Sequence, residues 1–398
     1  MKRFELDILG QYSATTINEK HSGVFSITVY LKEKLNLEIL KQATDSLLEM
    51  LPFLSGRLQH NFFWYEYEIT GDSLPLIPVE KAAKLENNKH IFSIAYGERH
   101  FILRVNHILC DGRTLSKITK ALLMRYFELS EINLDNKDKQ VFNEFQNSEI
   151  LENAYQRFTD YKTNKAMTNK KKTKISAYQP PISETATVQM LSYPLSASRV
   201  KATAKKHQAT VSEFLLALIF KSIAVERQTF NRKEPIRASI PIDCRAFFPS
   251  KTMRNFVGAE NITMPEDEDF TTMTKKLRIA FDKIDKDSVY KEFSSLQKTY
   301  QAVRYLPRIC KDRYMKRLER LKSNEYTTGF SNVGKIDLPE NILEKINSME
   351  FFAETDGMSP YYFSCITAGD ILTLAVTIKV DNCILIQELE KNLTPFFT

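Results

Sequence analysis

Apolar and polar positions alternate with period two in some stretches of this chain and recur every three or four residues in others, and each switch between the two marks an element. The run HSGVFSITVYL, residues 21–31, is rich in β-branched and aromatic side chains and predicts a strand. Asn36 then offers an N-cap to a helix with Leu37, Leu40, Leu47 and Leu51 on one face, closed by Pro52. Residues 61–70, NFFWYEYEIT, alternate as a strand, and 91–95 with 100–106 predict a hairpin around Gly97. Directly after it comes HILCDG, residues 107–112, followed by a helical pattern with Leu115, Ile118, Leu122 and Tyr126 at spacings of three and four. This order of strand, short loop and helix puts His107 at a strand end.

Between Tyr161 and Ser183 stand Lys162, Lys165, Lys170, Lys171, Lys172 and Lys174, no acidic residue, and the pair Pro180-Pro181. Such a stretch reads as a mobile connection, and it divides the chain into a first part, 1–165, a linker, 166–185, and a second part, 186–398. Its lysines are either a solvated linker or a docking surface for phosphates or an acidic carrier protein. In the second part Ser196 caps a short helix, and Thr210 with Glu213 forms a capping box ahead of the apolar helix VSEFLLALIFKSIAVE. ASIPIDCR, residues 238–245, is a strand leading into the turn FFPSKTMRNF. Two or three amphipathic helices fill about 270–322, and YTTGFSNVG, residues 326–334, is again a strand. Strands 361–366 and 371–379 meet at the tight turn TAGD, and a last helix starts at Asn382. Both parts therefore mix strands with helices, an α/β layout without short tandem repeats.

Composition narrows the function classes. Hydrophobic residues make up 43% and charged residues 26% of 398, values that support a packed core. The formal charge of +7 admits an anionic small molecule or an acidic partner, but no dense basic stripe calls for nucleic acid. Glycine, at 11 residues, is scarce and GxGxxG is absent, which weighs against a dinucleotide fold. Cys110, Cys244, Cys310, Cys365 and Cys383 are odd in number and scattered, so neither a disulfide framework nor a zinc site is signalled, and a reducing cytoplasm is the expected location. We also expect no export signal and no membrane span, since the longest strongly apolar run, Phe214 to Phe220, is bounded by Glu213 and Lys221.

Candidate chemistry concentrates in HILCDG. A histidine at a strand end can expose an imidazole in a cleft, where a ring of this type serves as a general base. Asp111 lies too far along the loop to hold the same ring unless the loop is helical. It either caps the following helix or fixes the loop by pairing with an arginine, and Gly112 allows close backbone approach. Cys110 is read as packing rather than as a nucleophile. GFSNVGK, residues 329–335, matches GxxxxGK of a phosphate-binding loop, but Ile336 follows where Ser or Thr should hold magnesium. Metal binding by His107 with Asp111 and His100 lacks a second histidine pair, so no metal is expected.

Three motifs in this order, HxxxDG at 107–112, the IPIDCR strand and the SNVG strand, resemble the chloramphenicol acetyltransferase-like superfamily. It includes plant BAHD acyltransferases, alcohol acetyltransferases and the condensation domains of peptide synthetases. The order of elements covers nearly the whole chain, whereas the specific likeness is confined to the three motifs. The resemblance implies two mixed α/β subdomains with an active-site tunnel at their interface. His107 would be the base that deprotonates an alcohol or amine attacking an acyl thioester, with acyl-CoA as co-substrate and no bound cofactor. Asp111 and Gly112 would be structural, Asp111 gripped bidentately by Arg245 across the two halves. Ser331, Asn332 and Asn106 are candidates for oxyanion or substrate contact. Asn106 stands where many relatives carry a second histidine, and the plant form DFGWG is replaced by FSNVG, residues 330–334, a sequence nearer to the alcohol acetyltransferase pattern. Two alternatives stay open: a donor borne by an acyl carrier protein, and a non-catalytic binding module of the same fold.

Overall fold

Three sheets organise the chain in its computed structural model, which describes residues 3–17, 22–81, 90–161, 175–182, 187–265, 269–322, 324–353, 360–379 and 383–398. The first half runs through β1 (Arg3–Glu5), α1 (Ile8–Thr16), β2 (Val24–Leu31), α2 (Leu37–Met50), β3 (Gly56–His60), β4 (Tyr65–Ile69) and β5 (Leu76–Pro78). It continues with β6 (Phe92–Tyr96), β7 (His100–Asn106), α3 (Gly112–Leu129) and the single turns α4 (Gln140–Asn143) and α5 (Ala154–Arg157). The second half opens with β8 (Gln189–Ser196), α6 (Ala197–Lys206), α7 (Val211–Thr229), β9 (Arg237–Asp243) and β10 (Val257–Thr263). Then follow α8 (Phe270–Asp282), α9 (Lys286–Ala302), α10 (Arg308–Lys322), β11 (Thr328–Lys335), α11 (Glu340–Leu343), β12 (Ile346–Ala353), β13 (Tyr361–Ala368), β14 (Ile371–Ile378) and α12 (Ile384–Leu393).

Local signals explain most of these boundaries. Asn36 Oδ1 accepts from Glu38 N and Ile39 N and starts α2. Thr210 and Glu213 exchange hydrogen bonds at the start of α7 as a capping box. Gly369, with φ of 59°, allows the tight turn between β13 and β14. The lysines at 162–174 and much of the expected linker lie outside the described residues. No single helix among the described residues is long and apolar enough to cross a membrane.

A six-stranded mixed sheet, in the order β10-β9-β11-β13-β14-β8, belongs to the second half, and its apolar face is covered by α7 and α12. Helix α7 is apolar almost all round because it is buried almost all round. The first half contributes β2, β7, β6 and β5 to a five-stranded sheet whose outer strand, β12, comes from the second half. Phe351 of β12 faces Ile27 of β2 in register, and Ile336, Leu338, Ile342, Met349 and Phe351 join the hydrophobic core of the first half. A small third sheet pairs β1, β4 and β3. The segment 252–256 is stitched in as well: Met253 N donates to the Ile150 carbonyl at 2.7 Å and Thr252 Oγ1 to the Glu152 carbonyl at 2.7 Å.

Candidate functional site

After β7 the chain turns through residues 107–111 into α3, and this turn is held from every side. Asn106 is buried, and its amide is committed to backbone: Nδ2 donates to the Ser22 carbonyl at 2.6 Å and Oδ1 accepts from Ile108 N at 3.0 Å. His107 N donates to the Gly23 carbonyl at 2.9 Å. Below the turn, α1 comes so close that a Cβ on Gly10 would lie 2.7 Å from the Ile108 carbonyl oxygen, a separation only glycine permits.

The His107 ring sits 5.1 Å from the Phe25 ring, centroid to centroid, and its Nδ1 is 2.9 Å from Oδ1 of Asn255, a residue of the second half. Asn255 is fully buried, and its Nδ2 donates to the His107 carbonyl at 2.8 Å and to Asp7 Oδ1 at 3.4 Å. Those two acceptors orient the amide, and an amide oxygen can only accept, so Nδ1 carries the proton and the lone pair lies on Nε2. Nε2 makes no hydrogen bond among the described residues. Asp7 stands behind Asn255, its Oδ1 accepting from Gly10 N at 2.8 Å and its Oδ2 lying 3.4 Å from Arg254 Nε. Burial pushes the Asp7 carboxyl above its usual range, and Arg254, the Gly10 amide and Asn255 only partly oppose it.

Asp111 performs both of the roles its sequence position suggested. Its Oδ1 accepts from Thr114 N at 3.0 Å, capping α3, while Oδ2 accepts from Arg245 Nη1 at 2.8 Å and from Phe256 N at 3.0 Å. The grip is not the bidentate one expected. Only Nη1 of Arg245 reaches Asp111, and it also donates to Asp243 Oδ1 at 3.0 Å, while Nε and Nη2 donate to the Thr252 carbonyl and Nη2 also to the Arg254 carbonyl. The guanidinium thus ties the Asp111 and Asp243 carboxylates to the backbone of segment 252–254 instead of forking one carboxylate. Burial pushes Asp111 up, yet Arg245 and the Phe256 and Thr114 amides outweigh it, leaving the carboxyl below its usual value. Next to this pair, Arg113 at the start of α3 bonds Asp243 at the end of β9. A Cβ on Gly112 would meet Val333 Cγ1 at 3.2 Å and Phe351 Cζ at 3.4 Å, so Gly112 lets α3, β11 and β12 converge.

Val333 therefore faces the start of α3, and Ser331, half-buried on β11, makes no side-chain hydrogen bond among the described residues. Asn332 is held elsewhere: its Nδ2 donates to Ser212 Oγ at 2.9 Å, its Oδ1 accepts from Gly334 N at 2.9 Å, and it lines a cleft of about 230 Å³ with Ser212, Asp243, Phe247 and Phe330. The GFSNVGK segment is strand almost throughout, paired with β13, so it makes no phosphate-cradling loop. Cys110 is fully buried, and burial raises its thiol well above the ordinary value, which disfavours a thiolate.

The structure thus brings His107, Asp111, Gly112 and Arg245 to one place, engages Asn332 with Ser212 at the mouth of a separate cleft, uses Asn106 as a backbone brace, and leaves Ser331 on β11 without a contact to His107 among the described residues. Asn255, Asp7, Gly10 and the Arg113–Asp243 pair carried no signal in the sequence, because each acquires its place only when distant segments meet.

No family model and no curated protein matches the sequence. Solved structures do match in fold over the whole chain. One is polyketide synthase associated protein 5 from Mycobacterium tuberculosis, 15% identical over 98% of this chain and 96% of that one, TM-score 0.61. Another is the epimerization domain of the third module of tyrocidine synthetase B, 11% identical over 99% and 96%, TM-score 0.61. A third is F. sporotrichioides TRI101, solved with coenzyme A and T-2, 14% identical over 100% and 99%, TM-score 0.59. The chain has the two-part α/β fold these structures share.

Proposed function

We propose that this protein transfers an acyl group from an acyl thioester, acyl-CoA, to the hydroxyl or amine of a small molecule, with His107 as general base. The observation that carries the reading is the 2.9 Å contact of His107 Nδ1 with Asn255 Oδ1 where the two halves meet: an amide oxygen only accepts, so this contact favours the proton on Nδ1 and a lone pair on Nε2. Likeness in fold to a protein solved with coenzyme A supports the choice of donor.

In this reaction Nε2 accepts the proton of the acceptor O–H or N–H as its heteroatom attacks the thioester carbonyl. The new bond leaves negative charge on the carbonyl oxygen, for which Ser331 is the candidate donor. Collapse of the tetrahedral species breaks the carbon–sulfur bond, and the departing thiolate takes up the proton from Nε2. A thioester is already activated, so no covalent acyl-enzyme is required. Asp111, bound by Arg245 and two backbone amides, holds the loop and does not touch the reacting atoms.

The test is thiol release from acetyl-CoA with a panel of alcohols and amines. His107→Ala should lower turnover by about 10² to 10⁴ while donor binding survives. Near-normal turnover by the variant would remove His107 as base. Turnover only with a donor attached to a carrier protein would replace CoA as the donor, and absence of thiol release with either kind of donor would leave a binding module.

A further inference from the structure

One corner of the surface, on elements that do not hold the His107 loop, is unusual. Of the twelve large hydrophobic side chains exposed among the described residues, six fall in two short segments that touch. Phe62 and Phe63 form the turn between β3 and β4, while Tyr305, Leu306, Ile309 and Tyr314 lie at the corner between α9 and α10 and along the start of α10. The segments are joined by backbone: Arg308 N donates to the Phe62 carbonyl at 2.8 Å, and Lys311 Nζ to the Phe63 carbonyl at 2.7 Å. Phe62 is 68% exposed, Tyr305 76% and Ile309 58%, so these side chains project from turns instead of filling a groove.

Charge singles out the same corner. Residues 297–317 contain seven basic side chains and one acidic, an excess nearly equal to the +7 of the whole chain. The single carboxylate, Asp312, is turned inward, accepting from Tyr65 Oη at 2.8 Å and from Arg308 Nη1 at 3.1 Å. Arg304, Arg313 and Arg317 are left exposed among the apolar side chains.

Projecting aromatic and aliphatic side chains interleaved with arginines suit a surface with an apolar layer beneath an anionic one. Arginine stems lie along apolar material while their heads stay with the anions. A folded acidic partner would satisfy the arginines, but protruding apolar tips fit a deformable phase better than a fixed protein surface. We propose that this corner docks the protein on an anionic lipid bilayer, with Phe62, Phe63, Tyr305 and Ile309 entering the headgroup boundary and Arg304, Arg313 and Arg317 meeting the lipid anions. The inference does not rest on the acyl-transfer reading.

The test uses the full chain with phosphatidylcholine vesicles, with and without about 30 mol% phosphatidylglycerol, read by co-sedimentation and by the emission of Trp64. Trp64 is the only tryptophan and lies in this corner, stacked on Tyr300 at 5.9 Å. Binding should require phosphatidylglycerol and weaken as salt rises. The triple change Phe62→Ser, Tyr305→Ser, Ile309→Ser should weaken it by about tenfold or more, and each of Arg304→Gln, Arg313→Gln and Arg317→Gln by about fivefold. Because all six side chains are exposed, the circular dichroism and unfolding midpoint of these variants should match the parent. Failure of the parent to bind anionic vesicles, or binding unchanged in the serine and glutamine variants, would overturn the proposal. So would displacement of vesicles by an acidic carrier protein that binds through the same arginines.

Discussion

If Asp111 and Arg245 hold the His107 loop between the two halves, removing either should cost far more than the loss of a surface ion pair. Their side chains are 3% and 8% exposed, and the 2.8 Å contact is shielded from solvent. Asp111→Ala deletes the cap on α3, worth about 1 kcal/mol, and strands the buried Phe256 amide at about 1 to 3 kcal/mol. The unpaired guanidinium adds to this, softened by its second carboxylate, Asp243, so the whole loss should fall within about 3 to 5 kcal/mol. Arg245→Met should cost as much or more, because it also frees the Thr252 and Arg254 carbonyls. The double variant should lose less than the sum of the two, by about 1 to 3 kcal/mol of coupling. Urea unfolding, read as midpoint shifts at constant slope, measures all three. The pH dependence gives a second readout. Since Asp111 is held below its ordinary value of 3.8 in the folded chain, its contribution is complete above that pH and is lost as pH falls through the lower folded value. The gap between parent and Asp111→Asn should therefore be full at neutral pH and close in that acid window. A cost below about 1 kcal/mol for Asp111→Asn, with a cycle additive to within about 0.5 kcal/mol, would mean that Asp111 is only a helix cap.

Three further perturbations address the surroundings of the site. Asn255→Leu should lower kcat by about 10² with little change in donor KM, because the ring loses its orienting acceptor; an unchanged kcat would remove Asn255 as the residue that sets the tautomer. Gly10→Ala should cost about 1 to 3 kcal/mol and lower activity as well, since the added methyl meets the Ile108 carbonyl one residue from His107, and thermal unfolding alongside turnover checks both effects. Lys311, its Nζ 3.2 Å from the centre of the Trp64 ring, is pushed down to about 8 by burial, so Trp64 emission should titrate near pH 8 and the step should vanish in Lys311→Met. The depressed value also means that the folded chain gains stability as pH rises from about 8 toward the ordinary lysine value, a slope that Lys311→Met should flatten.

Elements whose causes are local were legible from the residues, because the side chains that form the signal also form the structure: Asn36 at α2, the Thr210–Glu213 box at α7, and the alternation of β7 running into the His107 turn. The partner of Asp111 was legible only through resemblance. Taken alone, the residues left cap and ion pair as alternatives, yet a carboxylate has two oxygens and the fold uses one for each. Asn255 illustrates the opposite limit. It is a polar residue in a turn, 148 positions from His107, and no periodicity links the two until segment 252–256 is drawn into the first half. Strand β12 fails to announce itself for a related reason. Residues 346–353, INSMEFFA, alternate poorly, and they are extended because β2 offers an unpaired edge that they match from Ala353 opposite Phe25 to Ile346 opposite Leu31. Without β12 that edge, and the core face around Phe25 and Ile27, would lie open to solvent, since β7 covers only the other side of β2. The two halves can be told apart as patterns along the chain, but the sheet that carries His107 is completed only by the half that supplies Asn255 and Arg245, which ties assembly of the site to folding of the whole chain.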